Sequence, residues 1–203
     1  RLGETPIEMV LIASEDGLMD LRALEGAGSL PGWPRRLGDA LAGHPAVGDP
    51  DGDGDLEIAM TTRSGDLHLW DLAATSESSW PRSVWGADQT RRPPTTSGPR
   101  LWDIGGDGSV EWVQMRGDGL LTVLDGAGNP RAGWPIATGG FGIDGPLRLN
   151  DADGVERWYV SHAVSDSVFA LTALPFGGSV PLPSIPVAGA RWPASGHGAF
   201  AAP

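Results

Sequence analysis

The chain of 203 residues contains no cysteine and no lysine. Without cysteine there is no disulfide framework, no catalytic thiol and no thiolate metal site. Without lysine all 14 basic residues are arginine, and 26 acidic residues leave a net charge of −12. All-arginine usage points to a GC-rich genome. The shortage of positive charge excludes nucleic-acid binding, which needs basic surface to neutralise phosphates, and attraction to anionic lipid. No apolar run approaches the roughly 18 residues of a membrane span, so no membrane insertion is expected. No secretory signal is visible, and because the sequence opens at Arg1 rather than Met the natural N-terminus is expected to have been removed or to lie elsewhere. Helical periodicity never persists beyond two turns, so helices should be scarce.

What the chain has in abundance is glycine and proline, 31 and 18 residues or about a quarter of the total. Nine tryptophans argue against disorder, because disordered chains are poor in aromatics. The glycines then read as turn residues between short apolar strands.

A repeat organises those strands. An apolar residue, a glutamate and further mostly apolar residues recur at Ile7-Glu8-Met9-Val10, Leu56-Glu57-Ile58-Ala59, Val110-Glu111-Trp112-Val113 and Val155-Glu156-Arg157-Trp158. The glutamates are 49, 54 and 45 residues apart. Each is followed by a turn and a second apolar segment, with Asp16-Gly17, Ser64-Gly65 and Asp118-Gly119 as the clearest hairpin turns. A Trp-Pro segment comes next, at Trp33-Pro34, Trp80-Pro81, Trp134-Pro135 and, later, Trp192-Pro193. Its proline suits an edge strand or a strand entry.

About four strands per unit of this length match one propeller blade. The expected architecture is therefore all-β: a β-propeller or partial propeller of about four blades, each a four-stranded antiparallel sheet. As a single repeat domain the chain divides into an incomplete blade 1–43, blades 44–97, 98–144 and 145–175, and a proline-rich tail or closing strand 176–203. A β-sandwich with chance similarity between hairpins is the competing architecture.

The chemically specific segment is Asp49-Pro50-Asp51-Gly52-Asp53-Gly54-Asp55-Leu56-Glu57. Carboxylates alternating with glycines in a tight loop can converge on one point, and calcium takes six to eight oxygens at such a point. Side-chain oxygens are assigned to Asp49, Asp51, Asp53 and Glu57, and a backbone carbonyl to Asp55. An EF-hand begins in the same way but needs a bidentate acid at its twelfth position, here Met60, and helices on both sides. The flanks read as strands instead. A second loop keeps the spacing with Asp103, Asp107 and Glu111, but Gly105 stands where Asp51 would, so weaker binding is expected. A third, Asp151-Ala152-Asp153-Gly154-Val155-Glu156, is shorter and reads as a turn.

The run Pro45-Ala46-Val47-Gly48-Asp49 through Ile58, with its Ser-Gly turn and Trp-Pro segment, resembles the FG-GAP/VCBS-type repeat of integrin α-subunits and secreted bacterial proteins. The resemblance spans roughly residues 7–175. It implies a propeller with calcium (Ca2+) in the outer loops of its blades, in a structural and adhesive role. Such rings usually have seven or eight blades, more than this chain supplies.

Other constellations read as packing or surface. His44, His68, His162 and His197 are scattered, no serine sits in a Gly-x-Ser-x-Gly elbow, and Thr138-Gly139-Gly140-Phe141-Gly142 opens no helix. Trp33, Trp80 and Trp134 repeat with the blade and are expected to pack at blade seams. Among Trp70, Trp85, Trp102, Trp112, Trp158 and Trp192, an exposed one could stack on a sugar or grip a protein.

The leading expectation is a non-catalytic calcium-binding module, secreted or at the cell surface or periplasm. Its partner would be a protein or carbohydrate at the cell exterior, or the rest of a longer propeller. One alternative is a piece of a polysaccharide lyase or quinoprotein, since Leu124-Asp125-Gly126-Ala127-Gly128 resembles the quinoprotein blade pattern. Another is an assembly subunit pairing through open blade edges.

Overall fold

A computed structural model describes residues 8–25, 28–77, 80–84, 93–150, 152, 154, 156–165, 168–175 and 185–186. Among them every regular element is a strand. Four antiparallel meanders follow one another along the chain. The first holds β1 (Met9–Ala13), β2 (Leu18–Ala23) and β3 (Arg35–Arg36). The second holds β4 (Ala46–Gly48), β5 (Glu57–Thr61), β6 (Asp66–Asp71) and β7 (Arg82–Ser83). The third repeats that plan with β8 (Arg100–Trp102), β9 (Glu111–Met115), β10 (Leu120–Leu124) and β11 (Ile136–Ala137). The fourth has β12 (Phe141–Asn150), β13 (Glu156–Ser165), β14 (Val168–Pro175) and β15 (Ile185–Pro186). This last sheet starts ahead of the boundary drawn at residue 145, and it takes its outer strand from the segment 176–203.

The hairpins close where the glycines require them. Gly17, Gly65 and Gly119 adopt φ of 83°, 91° and 84°, a region other residues enter only with strain. Their amides donate to Ser14, Thr62 and Arg116 carbonyls at 3.0, 2.9 and 3.0 Å, so three blades share one turn. The second recurrent turn carries the tryptophans. Trp33, Trp80 and Trp134 amides donate to the carbonyls of Leu30, Glu77 and Arg131 at 3.0, 3.0 and 3.1 Å. Among the described residues, the Trp33-Pro34, Trp80-Pro81 and Trp134-Pro135 peptides are cis.

Sheets pack face to face in chain order, and the core is three seams rather than one centre. The central strands β5 and β9 are buried at every residue, because a sheet lies against each of their faces. Side chains alternate accordingly. Ile58 and Met60 join Met19, Leu21 and Trp33 at the first seam, while Ala59 joins Trp80 and Trp112 at the second. Val113 and Met115 meet Trp158 and Val160 at the third.

Each Trp-Pro tryptophan reaches the next blade. Trp33 lies 5.9 Å from Trp70, Trp80 stacks on Trp112 at 5.0 Å, and Trp134 stacks on Trp158 at 5.7 Å. Trp33 also donates its indole N–H to the Leu72 carbonyl at 2.8 Å. Trp112 and Trp158 are buried, so neither is available to a sugar or partner. Trp70 and Trp102 are half-buried against the same seams, and Trp85 and Trp192 lie outside the described residues. A buried polar clasp fixes the second seam. Thr61 Oγ1 donates to Gln114 Oε1 at 2.7 Å, and Gln114 Nε2 donates to the Ser97 carbonyl at 2.8 Å.

Candidate metal centre

The loop between β4 and β5 is wound around Asp49. Its carboxylate accepts the amides of Gly52 (2.7 Å) and Gly54 (3.0 Å), and both glycines hold positive φ of 77° and 93°. The winding turns Asp51 and the first residue of β5 toward the same place. Carboxylate oxygens of Asp49, Asp51 and Glu57 lie within 4.8 Å of one another. Asp53 and Asp55 stay outside that group. Asp53 accepts the Asp55 amide at 2.8 Å, and the Asp55 side chain is exposed.

Glu57 has the unusual environment. It is 2% exposed, and its Oε2 atom has no hydrogen-bond partner among the described residues. No described residue forms an ion pair with it. A buried carboxylate without partner or counter-charge is costly, and a protein avoids the cost by protonation or by a bound cation. Burial first, then the charges of Asp51, Asp53, Asp49 and Glu77, push its carboxyl up to about 7. Burial first, then the charges of Asp51, Asp71 and Asp53, also raise Glu77.

The sign of the resulting pH dependence follows directly. In the absence of divalent cations, the folded chain retains a proton on Glu57 that the unfolded chain releases from about pH 4.5. Stability of the cation-free protein therefore falls as pH rises from about 4.5 to about 7. Thermal melts across this range in chelator should show the fall, and Glu57→Gln should flatten it.

A loop of the same length joins β8 to β9. Asp103 accepts the amides of Gly106 (2.6 Å) and Gly108 (2.9 Å), and these glycines hold φ of 69° and 86°. Asp107 accepts the Ser109 amide at 2.9 Å. Glu111 is 1% exposed, but both its oxygens are engaged: Oε2 accepts the Ile104 amide at 2.8 Å, and Oε1 pairs with the Arg131 guanidinium. Asp103, Asp107 and Glu111 do not converge as Asp49, Asp51 and Glu57 do. In the third loop Asp151 and Asp153 lie outside the described residues, while Glu156 takes a bidentate pair from Arg148 at 3.0 and 2.8 Å. Sequence reasoning had singled out neither arginine, nor Glu77.

Between the second and third blades lies a cleft of about 600 Å³, lined by Asp51, Glu77, Trp80, Glu111 and Arg131 among others. The Asp125-Gly126-Ala127 turn of the third blade is pressed onto the first acidic loop. A Cβ on Gly126 would sit 1.9 Å from the Pro50 carbonyl oxygen, so only glycine fits there. Of the histidines, His44 is exposed, His68 half-buried and His162 fully buried, and His197 lies outside the described residues. No histidine belongs to a metal-ligating group among the described residues.

No protein-family model and no curated protein matches the chain. Solved structures do. BamB from Moraxella catarrhalis is 19% identical with a TM-score of 0.53, over 86% of this chain and 45% of that one. BBS1N, in complex with ARL6DN and soaked with mercury, is 13% identical with a TM-score of 0.51, over 80% and 46%. A lead-soaked crystal of the same complex gives 11%, a TM-score of 0.51, and 84% and 48%. The chain thus spans about half the length of each. Sheet topology and these likenesses together establish an all-β fold, a β-propeller or partial propeller of about four blades. Among the described residues, no helix is long and apolar enough to cross a membrane.

Proposed function

We propose that this chain is a non-catalytic propeller module of the FG-GAP/VCBS type, in which a calcium ion locks the loop Asp49–Glu57 and so stiffens a surface that binds a partner. The observation that carries this reading is the buried Glu57 carboxylate, unpartnered at Oε2 and gathered with Asp49 and Asp51. The donor set suits calcium: it is all oxygen, carboxylate-rich and carried by a loop with glycine on either side of Asp53. Asp49, Asp51 and Glu57 would hold the ion. The ion supplies positive charge to a group that has none, and the carboxylates serve that charge rather than proton transfer.

Modules of this kind in the extracellular range hold calcium at millimolar levels, which fits a place outside the cytoplasm. The partner in this reading is a protein or carbohydrate at the cell exterior, or further blades of a longer propeller. Two observations favour a protein. The neighbour BBS1N is a propeller seen in complex with ARL6DN. In this chain β1 exposes Met9, Val10 and Ile12 at 40%, 40% and 49% on an outer strand. An apolar outer strand of this sort is a template for pairing and packing, which also keeps the assembly-subunit reading in play.

Amide hydrogen exchange tests the locked loop. Exchange across residues 50–57 should slow by about tenfold or more when millimolar calcium replaces chelator, while β9 stays unchanged. Equal exchange in both conditions would remove calcium from the account.

A further inference from the structure

The two acidic loops are wound alike, and the difference in charge around their glutamates comes from outside them. Both are wound on a first aspartate that accepts two glycine amides, and both end in a glutamate at most 2% exposed. Around that glutamate the surroundings are inverted. Where Ile104 supplies an amide to Glu111, the first loop has Pro50, which has no N–H to give. Where Arg131 supplies a guanidinium, the first loop has Glu77.

The equivalence of residues 77 and 131 is structural as well as numerical. Each lies 20 residues after its glutamate and three before its tryptophan. The Glu77 amide donates to Leu69 and the Arg131 amide to Val123, both at 2.9 Å, and each carbonyl accepts the tryptophan amide. Identical backbone therefore presents opposite charges at two neighbouring blades. In the fourth blade the repeat glutamate, Glu156, is half-buried and takes its arginine from another position, Arg148. Among the described repeat glutamates of these three blades, only Glu57 has no arginine.

We propose that the residue at this turn decides where each loop obtains its positive charge: Arg131 gives the second loop an internal cation, and Glu77, which can give none, leaves the first to take a divalent ion. The proposal rests on the reading of Asp49–Glu57 as a cation site. In the first loop, Glu77 lies outside the group of Asp49, Asp51 and Glu57 but lines the same cleft as Asp51, so that turn brings negative charge toward the site and no guanidinium. In the second, an incoming ion would have to displace a guanidinium from a buried carboxylate, which strands a charge. Arg131 is thus a specificity residue that excludes metal, and the chain takes one ion where its repeat pattern suggests two.

Equilibrium dialysis of the full chain against radioactive calcium, counting ions per chain, tests this. The parent should bind one, and Arg131→Glu should bind two. Arg131→Glu remaining at one, or a parent binding two, would overturn the proposal. A parent binding none would sink the first-loop reading instead; Arg131→Glu would then still separate the ideas, since a gained ion supports the switch and no gain refutes it. If circular dichroism shows that Arg131→Glu does not fold, Glu77→Arg decides in the converse direction. It should abolish calcium binding and raise the melting temperature in chelator toward that of the calcium-bound parent. Undiminished calcium binding by a folded Glu77→Arg would overturn the switch.

Discussion

Trp112→Ala should lose about 3–5 kcal/mol of stability, the cost of emptying a buried tryptophan site. Trp112 is 1% exposed at the start of β9 and stacks on Trp80 of the preceding blade at 5.0 Å, with planes 20° apart. Leu67, Leu69 and Leu124 surround the pair, and all belong to short strands with little freedom to close a void. The indole N–H has no partner among the described residues, so the loss comes from packing rather than from a broken hydrogen bond. Trp112→Phe keeps a ring against Trp80 and should cost clearly less than alanine. For a chain of this size the alanine variant should melt roughly 10 °C below the parent. Blades in such a stack contact only their neighbours, so the damage should concentrate at the second seam. A Trp112→Ala protein as stable as the parent would mean that the stacked pair does not hold the blades together.

Much of this architecture is legible in the sequence, for physical reasons. Turns that demand positive φ admit few residues, and Gly17, Gly65 and Gly119 stand where the hairpins close. The Trp-Pro segments marked one tryptophan per blade because a large ring is what bridges to the next sheet. The start of the fourth sheet was hidden for the opposite reason. Phe141–Asn150 contains Gly142, Gly145 and Pro146, which read as loop, yet it pairs with β13 across two register shifts. Bulges let a strand carry such residues, and no local pattern announces a bulge. The pairing of Ile185–Pro186 with β14 is long-range and short, and leaves even less trace.

The metal loop shows a similar division. Alternating Asp and Gly located it, and Asp49, Asp51 and Glu57 converge as that pattern suggests. Spacing could not say which carboxylates turn inward. Asp53 is spent on the Asp55 amide, a local bond that wins over convergence, and Asp55 faces solvent. The second loop looked like a weaker copy because Gly105 replaces Asp51. Its larger departure is Arg131, which lies in another turn 20 residues beyond Glu111. Aligning the units on their tryptophans would have set Glu77 against Arg131, but only the fold shows that this turn reaches the glutamate.

The most direct measurement of the central claim is a pair of thermal melts, in millimolar calcium and in excess chelator, for the parent and for Asp51→Ala. An ion that binds only the folded chain stabilises it by about 2.7 kcal/mol when free calcium is about 100 times the dissociation constant. For a chain of this length that is roughly 5–10 °C in melting temperature. Asp51 is chosen because it is exposed and carries no packing, so its loss should leave the fold intact while opening the group of three. The account predicts a calcium-dependent rise of that size in the parent and little or none in Asp51→Ala. Equal melting of the parent in calcium and chelator would contradict it and leave Asp49–Glu57 as a solvated acidic turn.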